Sequence, residues 1–179
     1  MEICIVDENE INRELDCAIK KALCICFPDD AEFFSGSRAW HGTAPAWSVI
    51  MKDNGTVAAH VGIVDRTVKA GKHLLRVAGV QNVFIQPEYR GRDLCEKLMN
   101  AAMDEALRRG FDAGLLYCVL QLEKVYAKCG WTLLPGKEII RINENGEHVP
   151  LPSKNITMYF PLKIKDFPNG NINLQGNDW

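Results

Sequence analysis

Val83-Phe84-Ile85-Gln86-Pro87-Glu88-Tyr89-Arg90-Gly91-Arg92-Asp93-Leu94-Cys95-Glu96-Lys97-Leu98 is the stretch on which the fold turns. The apolar run predicts a strand through Ile85, Pro87 ends it, and an Arg/Gly segment opens a helix. That helix buries Cys95, Leu98, Met99, Ala102 and Ala106 and stops at Arg108-Arg109-Gly110, basic residues followed by Gly. A strand that turns directly into a helix presents unpaired N–H groups at the helix start, where the dipole favours an anion. Arg90 and Arg92 add charge-assisted donors, so a pyrophosphate suits this turn. A basic helix start without a ligand is the plain alternative. No GKS or GKT follows and no GxGxxG is present, which excludes the two best-known phosphate loops.

Upstream, Ile11, Leu15, Ile19, Ala22, Leu23 and Cys26 repeat with helical period and predict a helix over 9–26. Phe27-Pro28-Asp29-Asp30 ends it, and a loop with at most a short helix leads to Pro45. Trp47–Lys52 and Thr56–Arg66 read as strands around Asp53-Asn54-Gly55, a strong hairpin signal. His73–Ile85 reads as a third strand interrupted at Gly79. Downstream, Ala113–Val119 is a buried strand, Leu122–Lys128 a short helix, and Trp131–Ile142 and Ile156–Ile164 are strands around the polar loop containing Asn143–Gly146. The tail from Lys165 is polar and either loosely ordered or a cover for another surface. The whole is one mixed α/β domain over 1–179, with 166–179 as the polar C-terminal tail.

Composition narrows the function. With 179 residues, 47% of them hydrophobic and 25% charged, the chain can build one full core. A net charge of −2 argues against a broad nucleic-acid surface. No apolar run approaches the roughly 18 residues that span a bilayer, and Met1-Glu2-Ile3-Cys4 does not read as a signal peptide. Seven cysteines in irregular spacing, with no CxxC pair and no nearby His, fit a reducing cytoplasm rather than a disulfide or zinc framework. The expectations are a cytoplasmic protein with no metal, no nucleic acid and no membrane partner.

Pro87 through Leu98, followed about thirty residues later by Val125-Tyr126-Ala127-Lys128-Cys129-Gly130-Trp131, resembles the GNAT acyl-CoA N-acyltransferases. Arg90-Gly91-Arg92-Asp93-Leu94-Cys95 stands where that family has its pyrophosphate loop, with Asp93 and Cys95 in place of the usual Gly and Gly or Ala. The aminoglycoside 2′-N-acetyltransferase branch also tolerates non-glycine residues there. Ala39-Trp40-His41-Gly42-Thr43-Ala44-Pro45, Gly55–Ile63, Val68–Gly71 and Asp166–Gly170 are similar to the nodulation protein A family of N-acyltransferases.

The resemblance implies an α/β (α+β) GNAT fold: a central mixed, mostly antiparallel twisted sheet flanked by helices, with a splayed strand pair binding acyl-CoA. It implies acetyl-CoA or another acyl-CoA as co-substrate and a small-molecule primary amine, possibly an amino sugar, as acceptor. Val83, Phe84 and Ile85 would hold the pantetheine arm and Arg90, Gly91, Arg92, Asp93, Leu94 and Cys95 the pyrophosphate. Tyr126 matches the family tyrosine that protonates the leaving thiolate. For the base, Gln81 and Asn82 on the splayed strand cannot accept a proton. His60 is the alternative, with a satisfied core histidine as the competing reading. Asp30, Gln81 and Asn82 are candidates for acceptor binding. A thiolate acyl-enzyme through Cys95 or Cys118 is the weaker mechanism beside direct attack in a ternary complex. A carrier-protein-dependent transfer of longer chains, and a degenerate domain acting as a binding or interaction module, remain alternatives. A homodimer is left open.

Overall fold

The computed structural model of the protein describes residues 1–152 and 154–179. Strand β1 (Glu2–Asp7) leads to helices α1 (Arg13–Cys26) and α2 (Ala31–Gly36). A meander of β2 (Trp47–Asp53), β3 (Thr56–Ala70) and β4 (His73–Ile85) follows, and then α3 (Leu94–Arg108) and β5 (Ala113–Val119). Helix α4 (Glu123–Lys128) precedes β6 (Thr132–Leu133), β7 (Ile139–Ile142), β8 (His148–Pro150), β9 (Asn155–Pro161) and β10 (Ile172–Asn173). All strands join one sheet in which β4–β5 and β7–β10 are parallel and the other pairs antiparallel.

The expected mixed, mostly antiparallel sheet flanked by helices is therefore present. Helix α1 begins where Asn12 Oδ1 accepts from Leu15 N–H at 2.9 Å, and it buries Ile19, Ala22 and Leu23. With Phe34, these pack against Ile50, Val57 and Phe84 on one face of the sheet. On the other face, Leu98, Met99, Ala102, Met103 and Ala106 of α3 cover Val49, Val61, Ile63 and Leu116.

Four expectations are corrected. The chain starts with a strand, not a helix: β1 pairs with β2 from Glu2–Lys52 to Asp7–Trp47, and its edge position leaves Ile3 and Ile5 exposed. The single strand over 131–142 divides into β6 and β7, because Pro135-Gly136 turns the chain and Gly136 takes φ 67°. The polar loop beyond is a hairpin turn between β7 and β8. The tail is neither loose nor wholly polar: Phe167, Ile172, Leu174 and Trp179 are buried against Val64, Val68, Val77 and Leu115.

The fourth correction concerns Gly79, which interrupts nothing. β4 runs straight through it, and the missing side chain makes room for Trp179, since a Cβ at Gly79 would collide with the Trp179 indole ring. The real irregularity in β4 comes later. Pairing shifts from Gly62–Gln81 to His60–Phe84, so β4 carries one extra residue, a bulge in which Asn82 takes φ 54°.

His60 holds that bulge. It is fully buried, with Nδ1 2.9 Å from Asn82 O and Nε2 3.1 Å from Ser48 Oγ. The carbonyl can only accept, so Nδ1 carries the proton and Nε2 accepts from the hydroxyl. Asn82 Nδ2 in turn donates to Arg38 O at 2.7 Å. The buried Arg38 guanidinium is fixed by Glu8 and Asp16, each at 2.6 Å. Burial, before any other influence, pushes the His60 pKa down to about 4.

Two outcomes follow for stability. Gly79→Ala should lose about 1–3 kcal/mol by overpacking. The same change in a Trp179→Ala background should cost much less, because the clash partner is gone; urea unfolding of the double-mutant cycle measures the coupling. For His60, the unfolded state takes up a proton near pH 6.5 and the folded state only near 4. Stability from this residue is thus intact above pH 6.5 and declines as pH falls through that window. Unfolding free energies at pH 7 and pH 5 should differ by about 2 kcal/mol on this account, and His60→Gln should lack that component.

Candidate functional site

β4 and β5 pair in parallel from Val77–Ala113 to Val80–Leu116 and then part. β4 continues to Ile85 and β5 to Val119, so their facing edges beyond this point have no strand partner. Two clefts meet in the opening, of 680 Å³ and 350 Å³. Phe27, Val83, Leu122 and Tyr126 belong to the walls of both.

The larger cleft lies at the start of α3. Val83, Phe84, Ile85, Arg90, Gly91, Asp93, Leu94 and Cys95 line it, so the structure brings together eight of the nine residues expected to hold the co-substrate. Arg92 is the exception. Its Nη2 donates to Glu88 O at 2.9 Å, its guanidinium stands 5.3 Å from the Tyr89 ring centre, and it is absent from the cleft wall. Arg90 Nε donates to Ile85 O at 3.1 Å, which folds that side chain over the end of β4. Gly91 takes φ 74° with open space where a side chain would be. Asp93 precedes α3 in the left-handed region, φ 54°, and makes no side-chain cap.

Four residues on this wall escaped the sequence reading. Cys26 and Phe27 arrive from the end of α1, a long-range contact with no local signal. Lys124 and Lys128 of α4 also line the cleft. Their i, i+4 spacing on either side of Tyr126 was the signal available, since it places both on one helix face.

The walls of the smaller cleft include no residue of α3. Asp30, Gln81 and Asn82, the expected acceptor residues, all line it, with Trp40, Tyr117 and Trp179 as aromatic walls. Gln81 Nε2 donates to Thr43 O at 3.0 Å, while Gln81 Oε1 is buried without a partner. His60 belongs to neither cleft, and its two ring nitrogens are already engaged. Its position is that of a core residue, not of a base in contact with substrate.

Tyr126 stands between the clefts, 8% exposed. Burial raises its pKa well above the usual phenol value, with the nearby Cys95, Cys118 and Cys129 adding to the effect, so it stays protonated at neutral pH. Cys95 Sγ and Cys129 Sγ are 4.0 Å apart. Burial pushes Cys118 up to about 11 and Cys129 up to about 12, and raises Cys95 as well. Thiols held this way are poor nucleophiles, which disfavours the acyl-enzyme route.

Comparison with known proteins agrees with this geometry. Residues 2–172 match the family model described as Nodulation protein A (NodA). Nodulation protein A of Mesorhizobium sp. (strain 7653R) is 37% identical over 153 residues, 80% of this chain and 77% of that protein. The match to nodulation protein A of Sinorhizobium terangae is 35% identical over 69 residues, 38% of this chain and 35% of that protein. Two further relatives are likewise spanned over only 31% and 53% of their lengths. Among solved structures, the GNAT family N-acetyltransferase YhbS of Escherichia coli in complex with CoA aligns with a TM-score of 0.67 at 14% identity, covering 98% of this chain and 91% of that one. An aminoglycoside 6′-N-acetyltransferase complexed with coenzyme A aligns with a TM-score of 0.65 at 15% identity, covering 90% and 97%. These likenesses give the chain the GNAT fold, and the match over nearly its whole length makes it a member of the nodulation protein A family.

Proposed function

We propose that the protein is an N-acyltransferase that moves an acyl group from CoA to a primary amine by direct attack in a ternary complex. The observation that carries this reading is the pair of clefts meeting at Tyr126 where β4 and β5 part. A two-substrate transfer needs donor and acceptor to approach separately and touch at one point, and the two clefts give each substrate its own way in.

On the donor side the free edge of β4 offers backbone groups to the pantetheine arm. The start of α3, with Arg90, Lys124 and Lys128, offers positive potential to the phosphates. Asp30 on the acceptor side attracts an ammonium group, and the amide oxygen of Gln81 accepts from an N–H without taking the proton. Tyr126, protonated at neutral pH, hands its proton to the departing sulfur. An amino sugar is the leading acceptor class, on family resemblance.

A longer acyl group is the second reading, whether delivered by CoA or by a carrier protein. It is favoured by Val119, Leu122 and Val125, each more than two-fifths exposed and each on a cleft wall, with exposed Leu120 beside them. A thermal-shift series with CoA, acetyl-CoA and longer acyl-CoAs tests both readings, because a ligand that binds only the folded state raises its stability. Stabilisation that grows with chain length selects the second. No stabilisation by any thioester, together with no thiol release in the presence of amines, selects a non-catalytic module.

The phosphate loop and the tyrosine give separate outcomes. Arg90→Ala should weaken CoA binding at least about tenfold, the equivalent of one charged hydrogen bond, and Arg92→Ala should weaken it less. Asp93→Gly should leave CoA affinity equal or better and raise the melting temperature, since glycine accepts the left-handed backbone and removes a negative charge. Calorimetric titration reads the affinities and a thermal melt the stability; a sharp loss of affinity in Asp93→Gly would show that the phosphates lie elsewhere. Tyr126→Phe should lower kcat at least about tenfold while the acetyl-CoA dissociation constant stays within a few-fold. Unchanged kcat in that variant would make Tyr126 a packing residue.

A further inference from the structure

The proposed transfer requires a destination for a proton, and the carboxylate on the acceptor wall, Asp30, already has the task of attracting the ammonium. A primary amine reaches the protein largely as ammonium and has no lone pair to attack with until it is deprotonated. Gln81 and Asn82 are amides, and His60 is sealed in the core. Of the other three histidines, His73 begins β4 at a distant hairpin and His148 lies on β8. Unlike these two, His41 stands beside the acceptor cleft without lining it, between Trp40 on the cleft wall and Asp178, whose neighbour Trp179 is also on that wall.

Its setting is built. His41 and Gly42 form a two-residue turn, φ 46° and 77°, closed by Thr43 N–H donating to Trp40 O at 2.8 Å. The C-terminal segment clamps the turn: Asn177 Nδ2 donates to His41 O at 2.9 Å, and Thr43 Oγ1 donates to Asp178 O at 3.0 Å. The imidazole packs on Trp40, with ring centres 4.8 Å apart. Asp178 Oδ1 lies 3.0 Å from His41 Nδ1 and 2.8 Å from Arg141 Nη1. Burial alone would raise the Asp178 carboxyl, but His41 and Arg141 together hold it below its usual range, so it is ionised. An ionised carboxylate accepts from Nδ1–H, which leaves the Nε2 lone pair free on a ring that is 38% exposed. A base whose tautomer is fixed by a buried carboxylate is the arrangement that proton abstraction needs.

We propose that His41, oriented by Asp178, is the proton acceptor for the incoming amine; the assignment rests on the acyl-transfer reading above. The ammonium gives one proton through a water at the cleft mouth to His41 Nε2, and the imidazolium releases it to bulk water from its exposed edge. The neutral nitrogen attacks the thioester carbonyl, the C–N bond forms and the C–S bond breaks. The second nitrogen proton replaces the one Tyr126 gives to sulfur, so ammonium and acyl-CoA become amide, CoA thiol and one free proton. Arg141 of β7 opposes a positive charge on His41, while Tyr117 of β5 faces Asp178 from the interior. Asp30 remains as the carboxylate that attracts the ammonium.

The test is the pH dependence of kcat/KM for the amine, with acetyl-CoA binding measured on the same preparations. In the parent protein the acid limb should lie below the amine's own ionisation. His41→Gln should lower kcat/KM at neutral pH at least about tenfold and move the limb up to the ionisation of the amine. The deficit should close at alkaline pH, where the amine is already neutral, with acetyl-CoA affinity within about twofold throughout. Asp178→Asn should move the limb in the same direction by less, and Asp30→Asn should raise KM while keeping the limb. Should His41→Gln fail to bind acetyl-CoA, His41→Asn, whose residue tolerates positive φ, takes its place. A parent-like limb in the His41 variant, or loss of the limb in Asp30→Asn instead, overturns the assignment while acyl transfer stands. No amine-dependent thiol release by the parent protein overturns both.

Discussion

The parting of β4 from β5 after Val80–Leu116 is the constraint that the rest of the site obeys. Two strands that run on side by side without pairing leave backbone donors and acceptors in need of partners, and a fold keeps such a gap open only when something prevents it from closing. Here the bulge at Asn82 redirects β4, and a chain of buried bonds holds the bulge. Ser48 donates to His60, which donates to the carbonyl of Asn82, and the Asn82 side chain donates to the carbonyl of Arg38, which Glu8 and Asp16 anchor. Phe84 stacks on His60 with ring centres 5.5 Å apart, continuing the support towards the cleft. Elements near the start of the chain thus set the direction of a strand end that they do not themselves extend.

Charge is distributed along the opening in a way that matches two different guests. Arg90, Lys124 and Lys128 face the donor cleft, tempered by Asp93 and Glu96, while Asp30 faces the acceptor cleft. Between them the walls are neutral: Tyr126 and the thiols Cys95, Cys118 and Cys129 are all pushed towards their protonated forms by burial. A low-dielectric middle strengthens each remaining polar contact there. Burial likewise holds His60 neutral in the core behind the opening, whereas His41 stands at the solvent edge.

The larger cleft was legible in the sequence because it is local. Strand, proline, Arg/Gly turn and helix are consecutive from Val83 to Leu98, and Tyr126 follows in a short helix with its own Gly130-Trp131 ending. Asp30, Gln81 and Asn82 likewise come together on the smaller cleft. What stayed hidden arises from distant contacts. Nothing near Gly79 announces that Trp179 will fill its missing side chain, and so the glycine read as a break. Ile3 and Ile5 alternate as a strand should, but the segment is short and lies at an edge, which weakens the hydrophobic signal that a buried face would give. Whether His60 is a base or a core residue could not be read from the chain alone, because its burial and its contacts with Asn82 and Ser48 decide it.

The C-terminal segment shows how these two kinds of information divide the labour of the molecule. Its apolar residues Phe167, Ile172 and Leu174 complete a core under β3 and β4, its Asp178 fixes the turn at His41, and its Trp179 forms part of the acceptor wall. Stability and acceptor geometry are therefore carried by the same few residues. The turn at Arg90–Asp93, by contrast, lies between β4 and α3 and lines the larger cleft, whose walls include no residue of the C-terminal segment. Substitutions in the tail or in the Trp40–Thr43 turn can reshape the acceptor cleft without disturbing the phosphate end. The cost falls on a core that Arg66 helps to hold, through its bonds to Leu174 O and Asn177 O and its contact with the Trp179 ring. On physical grounds, then, the acceptor side of this fold is free to vary only as far as the packing around Gly79 and Trp179 allows.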